Sequence, residues 1–291
     1  MRIIVHTGAH HTDDDRLMKC LLNNKEEFSR RRIAVPGPGR YRTLLKDTFA
    51  ALDSQAPGRE ARDVLLDAIL DDETADRVIL SNAHFFGAHR MAVNSEGFYP
   101  LAVTRMRQME QLFHADAVEM FMAICNPATF LPNVLAHAGP HVQAEVLNRV
   151  DPRTLRWSDM LARLRAALPD MPITVWCNED SPLIWPEIIR ALAGLPTGTR
   201  ITGGFDLLRD IMSRDGMKRF RAYLADHPDL SDDHKRRVMS AFLDKFAIPE
   251  AIEEELDLPG WTEALVDELS ALYDADVERI RRLPGVTLIA A

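Results

Sequence analysis

Cysteine is sparse: the 291 residues hold three, Cys20, Cys125 and Cys177, widely separated and each in an apolar context. No CxxC pair occurs, so the thiols read as buried and reduced, in a reducing compartment. Long apolar runs are lacking too. Nothing approaches the ~18 residues of a membrane span. The apolar start ends after about four residues at histidines and aspartates, which is no signal peptide. Positive charge is in deficit, with 35 Lys and Arg against 44 Asp and Glu and a net charge of −9. That excludes the basic footprint of a nucleic-acid-binding surface. Internal repeats and low-complexity tracts are missing. The expectation is a cytoplasmic, bacterial-type protein with no membrane span and no nucleic-acid partner. Its partner is an unknown small molecule or protein.

What is present suits a sizeable core without staples: 46% hydrophobic and 27% charged residues. Short, nearly continuous apolar runs lie at 3–6, 78–81, 118–124 and 173–177, with weaker ones at 33–35 and 286–289. Strands buried on both faces read this way. Helical patterns separate them, at 14–31, 59–72 and 101–114 for example, so a parallel sheet flanked by helices is predicted. Beyond 204 the strand signal stops until the end. Three helical stretches follow, with Ser231 and Thr262 at N-cap positions and Gly216 and Pro228 as punctuation. The predicted organisation is one domain: an α/β core over 1–203, a mostly helical appendage over 204–283 and a terminal strand over 284–291.

The opening HTGAHHTDDDRL raises the sharpest question. Strand, glycine loop and helix form the layout of a phosphate cradle, where backbone N–H groups and a helix N-terminus face an anion. Yet this loop carries Asp13, Asp14 and Asp15. The segment resembles the start of bacterial sulfotransferases that use 3′-phosphoadenosine 5′-phosphosulfate (PAPS), roughly H-x-G-x-x-K-T-G-T-T-x-L. His6, Gly8, His10, Thr12 and Leu17 fit. His11 stands in the lysine's place, and the three aspartates stand in place of Gly-Thr-Thr. A second stretch, CNPATFLPN, resembles the family's R-N-P-A-x-F-L-x-S element. There Asn126, Pro127, Ala128, Phe130 and Leu131 fit, while Cys125 replaces the arginine and Asn133 the serine that hold the 3′-phosphate. RRIAVPGPGRYR, VILSNAHFF and LYDADVERIRRLPGV are similar to further segments of the same family. In VILSNAHFF, Ala83 takes the place of a glutamate, and His84 follows it.

The resemblance implies a P-loop-type three-layer α/β/α fold with a short parallel sheet and a helical C-terminal extension. It implies transfer of a sulfo group from PAPS to an acceptor hydroxyl or amine. It puts Gly8, Thr12, Asp13, Asp14, Asp15, Cys125 and Asn133 at the cofactor site, and His11 and His84 at catalytic positions. The charges oppose that chemistry. PAPS carries roughly four negative charges, and a like-charge pair at about 5 Å costs roughly 3 kcal/mol at an effective dielectric near 20. Two or three such terms cancel a micromolar affinity of ~8 kcal/mol. The expected protein therefore has a disabled donor site, holds no cofactor, and is inactive or drifted in activity. The alternatives are a non-catalytic binding protein on the same fold, or a divalent-metal-binding protein using His6, His10, His11 and the aspartates.

The aspartates also have a structural reading. With Thr12 as N-cap, Asp15 falls at N3 of a capping box, and carboxylates occupy the end of the helix where the family binds phosphate. His84, His89 and Arg90 can face a relocated pocket. Cys125 reads as a buried structural thiol, and Trp157, Trp176 and Trp185 as core. His137 and His141 flank Gly139-Pro140 in a loop, and Glu253, Glu254 and Glu255 form a solvated helix face.

Overall fold

The six apolar runs become the strands of one parallel sheet. In the computed structural model, which describes residues 1–136, 138–253 and 258–291, these are β1 (Arg2–His6), β2 (Ile33–Ala34), β3 (Arg77–Ser81), β6 (Ala117–Ile124), β7 (Ile173–Cys177) and β8 (Val286–Ile289). Their order is β2-β3-β1-β6-β7-β8, and every neighbouring pair is parallel. Ile3, Ile4 and Val5 of the central strand are fully buried, as continuous apolar runs demand in a sheet covered on both faces. A hairpin, β4 (Val93–Asn94) with β5 (Gly97–Phe98), was not readable as strand in the sequence because each arm has two residues. His137, Glu254 and Glu255 lie outside the described residues.

The helices are α1 (Arg16–Asn23), α2 (Lys25–Arg30), α3 (Arg42–Leu52), α4 (Ala61–Leu70), α5 (Ala102–Leu112), α6 (Pro127–Leu135), α7 (Pro140–Arg149), α8 (Trp157–Ala167), α9 (Ser181–Ala193), α10 (Asp206–Ile211), α11 (Arg214–Asp226), α12 (Asp232–Phe246) and α13 (Glu263–Ile280). Helix α9 lies against β3 and β8 and meets α1, while α3, α5, α8, α13 and α6 pack in succession. The result is the predicted α/β/α layering. Among the described residues, no helix is long and apolar enough to cross a membrane.

Three local details differ from the sequence reading. The predicted helix over 14–31 starts at Arg16 and breaks at Asn24. There the amide donates to the Cys20 and Thr202 carbonyls at 2.8 and 2.9 Å and accepts the Thr202 N–H at 2.9 Å. Gly216 punctuates nothing: it lies in the first turn of α11, where a Cβ would stand 2.5 Å from that of Phe246. The break falls at Met212, which bridges to Ala247. Finally, α10, α11 and α12 share a small core of Leu208, Met212, Met217, Phe220 and Met239, whereas Tyr273 and Ile280 of α13 join the main core. Ser231 and Thr262 do cap α12 and α13 through their side chains.

Candidate functional site

The carboxyl ends of β3, β1 and β6 lie side by side, with His6 opposite both Ser81 and Phe121. Ligands of open α/β sheets collect at this edge. The loop after β1 continues along β6: the Ala9 N–H donates to the Ala123 carbonyl at 2.9 Å, and the Ala123 N–H to that of Gly8 at 2.7 Å. Gly8 has φ +100°, and a Cβ there would meet the Ala83 carbonyl oxygen at 3.1 Å. Only glycine suits that backbone and that contact. His6 is fully buried, 2.8 Å from the Ser81 hydroxyl through Nδ1 and stacked on Trp176. Burial pushes its pKa down to about 3. It belongs to the framework, apart from the cluster of imidazoles that follows.

His10 leaves the β1 loop and meets His84 and His89, which come from the segment after β3. One ring nitrogen from each lies within 4.8 Å of the others. His10 Nε2 is 3.1 Å from His84 Nδ1 and 3.1 Å from the Gly87 carbonyl oxygen. A carbonyl only accepts, so Nε2 carries the proton and Nδ1 is an acceptor. The buried Tyr99 hydroxyl therefore donates to Nδ1 at 2.7 Å, and its oxygen accepts the His10 backbone N–H at 3.0 Å. Burial first, then neighbouring His89 and His84, push the His10 pKa down to about 3. Burial followed by Arg42 lowers that of His84. The ring of His11 lies 4.7 Å from that of His89. His10, His11, His84, His89, Arg42 and the three aspartates surround a cavity of about 220 Å³.

The capping box is not what the aspartates build. His11, Asp14 and Asp15 adopt left-handed backbone with φ of 58°, 46° and 60°, a conformation that Asp tolerates better than Thr does. This delays α1 until Arg16, so Asp15 is the N-cap residue without a side-chain cap bond. The Thr12 hydroxyl instead donates to the Ala9 carbonyl at 2.8 Å. Asp13 supplies the carboxylate at the helix end, accepting the Leu17 N–H at 3.2 Å. Asp15 turns to the Arg42 guanidinium, which holds its pKa below the usual carboxylate range.

Asp13 has no such ion pair among the described residues, and Arg42 offsets only part of the rise in its pKa. Its carboxyl is turned in against the first turn of α1, and burial, with Asp15 and Asp14 nearby, pushes its pKa up to about 6. A folded pKa above the unfolded ~3.9 contributes stability below that value and loses it as pH rises through about 6. Asp13→Asn keeps an acceptor for the Leu17 N–H and removes the charge. Two pKa units correspond to ~2.7 kcal/mol. Because the residue is half-buried, solvent screening reduces this to a gain of about 1 kcal/mol at pH 7. Urea unfolding should show that gain at pH 7 and equal stabilities near pH 4; an Asn variant weaker at pH 7 contradicts this electrostatic account.

A second cavity, of about 490 Å³, shares Arg42 and His84 with the first. Leu45, Phe49, Phe85, Met91 and Leu101 give it an apolar lining, and Arg42, Lys46, Arg90 and Arg105 line it without any carboxylate. Arg42 pairs with Asp15 and Arg105 with Asp53. Lys46 and Arg90 have no ion-pair partner among the described residues.

Of the positions singled out in the sequence, His11, Asp13, Asp14, Asp15 and His84 come together at the smaller cavity. Gly8 and Thr12 shape its loop from behind. Cys125 and Asn133 line neither cavity. Cys125 is buried at 5% exposure, and its carbonyl accepts the Trp157 indole N–H at 2.7 Å. Next to it, Asn126 caps α6 by accepting the Ala128 N–H at 2.9 Å. Asn133 is half-buried on α6. Sequence reasoning missed Tyr99, Lys46 and Arg105. Tyr99 follows the short hairpin and has φ 45°, and nothing in its sequence neighbourhood marks it as the partner of a histidine 89 positions earlier. No protein-family model and no curated protein matches the chain.

Proposed function

We propose that the chain is a small-molecule-binding protein on a sulfotransferase-type, P-loop-like scaffold, and that it takes an amphipathic anion in place of PAPS. The carrying observation is the larger cavity, which no carboxylate lines and where apolar walls meet four cations, two of them, Lys46 and Arg90, without an ion-pair partner among the described residues. Its volume lies within the range of small-ligand sites, ~300–1,000 Å³. Phe49 and Phe85 meet edge to face at 5.3 Å, and the Arg105 guanidinium lies over the Phe49 ring at 5.4 Å. An aromatic or alkyl body fits such walls, and a sulfate, sulfonate or carboxylate head fits Lys46 and Arg90. The strand order and the position of the β1 loop support the sulfotransferase-type scaffold. The carboxylate of Asp13 at the start of α1, and its neighbours, oppose a polyanionic donor there.

Aryl anions test this reading. By calorimetry, 4-nitrophenyl sulfate or 4-nitrobenzoate should bind, and uncharged 4-nitroanisole should bind at least tenfold more weakly. Lys46→Ala/Arg90→Ala should weaken the anions by ~10–30-fold, from two charge-assisted contacts of ~1 kcal/mol each. Equal binding of charged and neutral aryl ligands would overturn the anion reading. PAPS-dependent sulfation of a phenol panel by the wild-type protein would overturn the disabled donor site.

A further inference from the structure

The geometry points to a divalent transition-metal site on His10, His84 and His89, with zinc the best match, at the mouth of the β1 loop. The inference goes beyond anion binding and does not rest on it. Three imidazoles form a borderline-soft nitrogen set, which suits Zn²⁺, Ni²⁺ or Co²⁺ rather than Mg²⁺ or Ca²⁺. In a tetrahedral site with bonds of 2.0–2.1 Å, two ligand nitrogens stand about 3.3 Å apart. His10 Nε2 and His84 Nδ1 already stand 3.1 Å apart, and all three ligand atoms lie within 4.8 Å. His89 is half-buried and His84 exposed on the loop, so their rings can close the remaining gap by small rotations.

The surrounding shell matches as well. A metal-bound histidine keeps its other ring nitrogen in a hydrogen bond that fixes its orientation. Here Tyr99, fully buried, holds His10 Nδ1 at 2.7 Å. Metal at Nε2 requires the other tautomer: the proton that now faces the Gly87 carbonyl moves to Nδ1, which donates to the Tyr99 oxygen, and the Tyr99 hydroxyl proton turns away from His10. The three histidines supply three ligands and all line the 220 Å³ cavity; the Gly87 carbonyl oxygen, 3.1 Å from His10 Nε2, or a water can complete a fourfold set. This set also differs from the one expected from the loop alone: His6 is committed to Ser81, and two of the three ligands come from the other side of β1, from the segment after β3.

The test uses untagged, metal-stripped protein titrated with Zn²⁺ by calorimetry, with Co²⁺ absorption as a second readout. One equivalent of Zn²⁺ should bind with a Kd of ~1 µM or tighter, and Co²⁺ should give the visible bands of a tetrahedral site. Removing a ligand should cost more than removing a supporting contact, whose loss is ~10–100-fold in affinity. His84→Ala and His89→Ala, both on the segment after β3 rather than in the core, should each weaken Zn²⁺ binding by at least ~100-fold and abolish the cobalt bands. His141→Ala on α7 should change neither. His10→Ala also removes the partner of Tyr99 and is left to second place. No saturable Zn²⁺ binding below ~100 µM, or unchanged affinity in His84→Ala and His89→Ala, would overturn the site. Either result leaves the aryl-anion experiment, which depends on Lys46 and Arg90, to stand or fall separately.

Discussion

Trp157→Ala should cost about 4 kcal/mol in urea unfolding, within the ~3–5 kcal/mol seen for emptying a large aromatic site. Trp157 is fully buried. Its ring stacks on Phe98 at 3.9 Å between centroids with 5° between planes, and Phe130 meets it edge-on at 5.4 Å. Its indole N–H donates to the Cys125 carbonyl at 2.7 Å, so truncation also removes a buried hydrogen bond. The substitution reaches the site. Tyr99 lies against both Trp157 and Phe130, at 6.1 and 6.2 Å, and the hydroxyl of Tyr99 orients His10. Trp157→Phe keeps a ring on Phe98 and should lose about half as much. If Trp157→Ala costs under ~1.5 kcal/mol, this aromatic group is not the support of the loop described above.

That cluster shows why the framework was legible in the sequence and the arrangement of the site residues was not. Asn126, Pro127, Ala128, Phe130 and Leu131 fitted a family pattern because they shape a helix start and its packing: Asn126 caps α6, and Phe130 fills the space beside Phe98 and Trp157. Apolar runs located all six sheet strands within a residue or two, since a strand covered on both faces has to be apolar throughout. The site depends on contacts between distant segments. His84 and His89 approach His10 only because β3 pairs with β1 in register, which no local pattern reveals. The loop failed for a backbone reason. Thr12 and Asp15 have the spacing of a capping box, but the left-handed turns at Asp14 and Asp15 move the helix start and give the carboxylate's role to Asp13.

Reversing the loop should produce the largest change in ligand binding. The wild-type protein is expected to bind 3′-phosphoadenosine 5′-phosphate no more tightly than ~1 mM, because phosphate would enter beside three carboxylates. The variant His11→Lys/Asp13→Gly/Asp14→Thr/Asp15→Thr restores the residues of the sulfotransferase pattern that the loop lacks. Each change has a structural consequence. Loss of the Asp13 carboxylate frees the Leu17 N–H at the start of α1, and a helix N-terminus with free N–H groups favours phosphate. Loss of Asp15 releases the Arg42 guanidinium, now held by that carboxylate, toward the same cavity. Threonine at 14 and 15 disfavours the left-handed backbone seen there and draws the loop toward negative φ, at some cost in stability. The product nucleotide should then bind at least ~100-fold more tightly by calorimetry, equivalent to ~2.7 kcal/mol. Cys125 stays unchanged, since an arginine at that buried position would disturb the packing around Trp157. Circular dichroism and cooperative unfolding must first show that the variant is folded. A folded variant with no gain would mean that the β1 loop is not a phosphate cradle closed by its own carboxylates, and the sulfotransferase-type reading of the scaffold would fall with it.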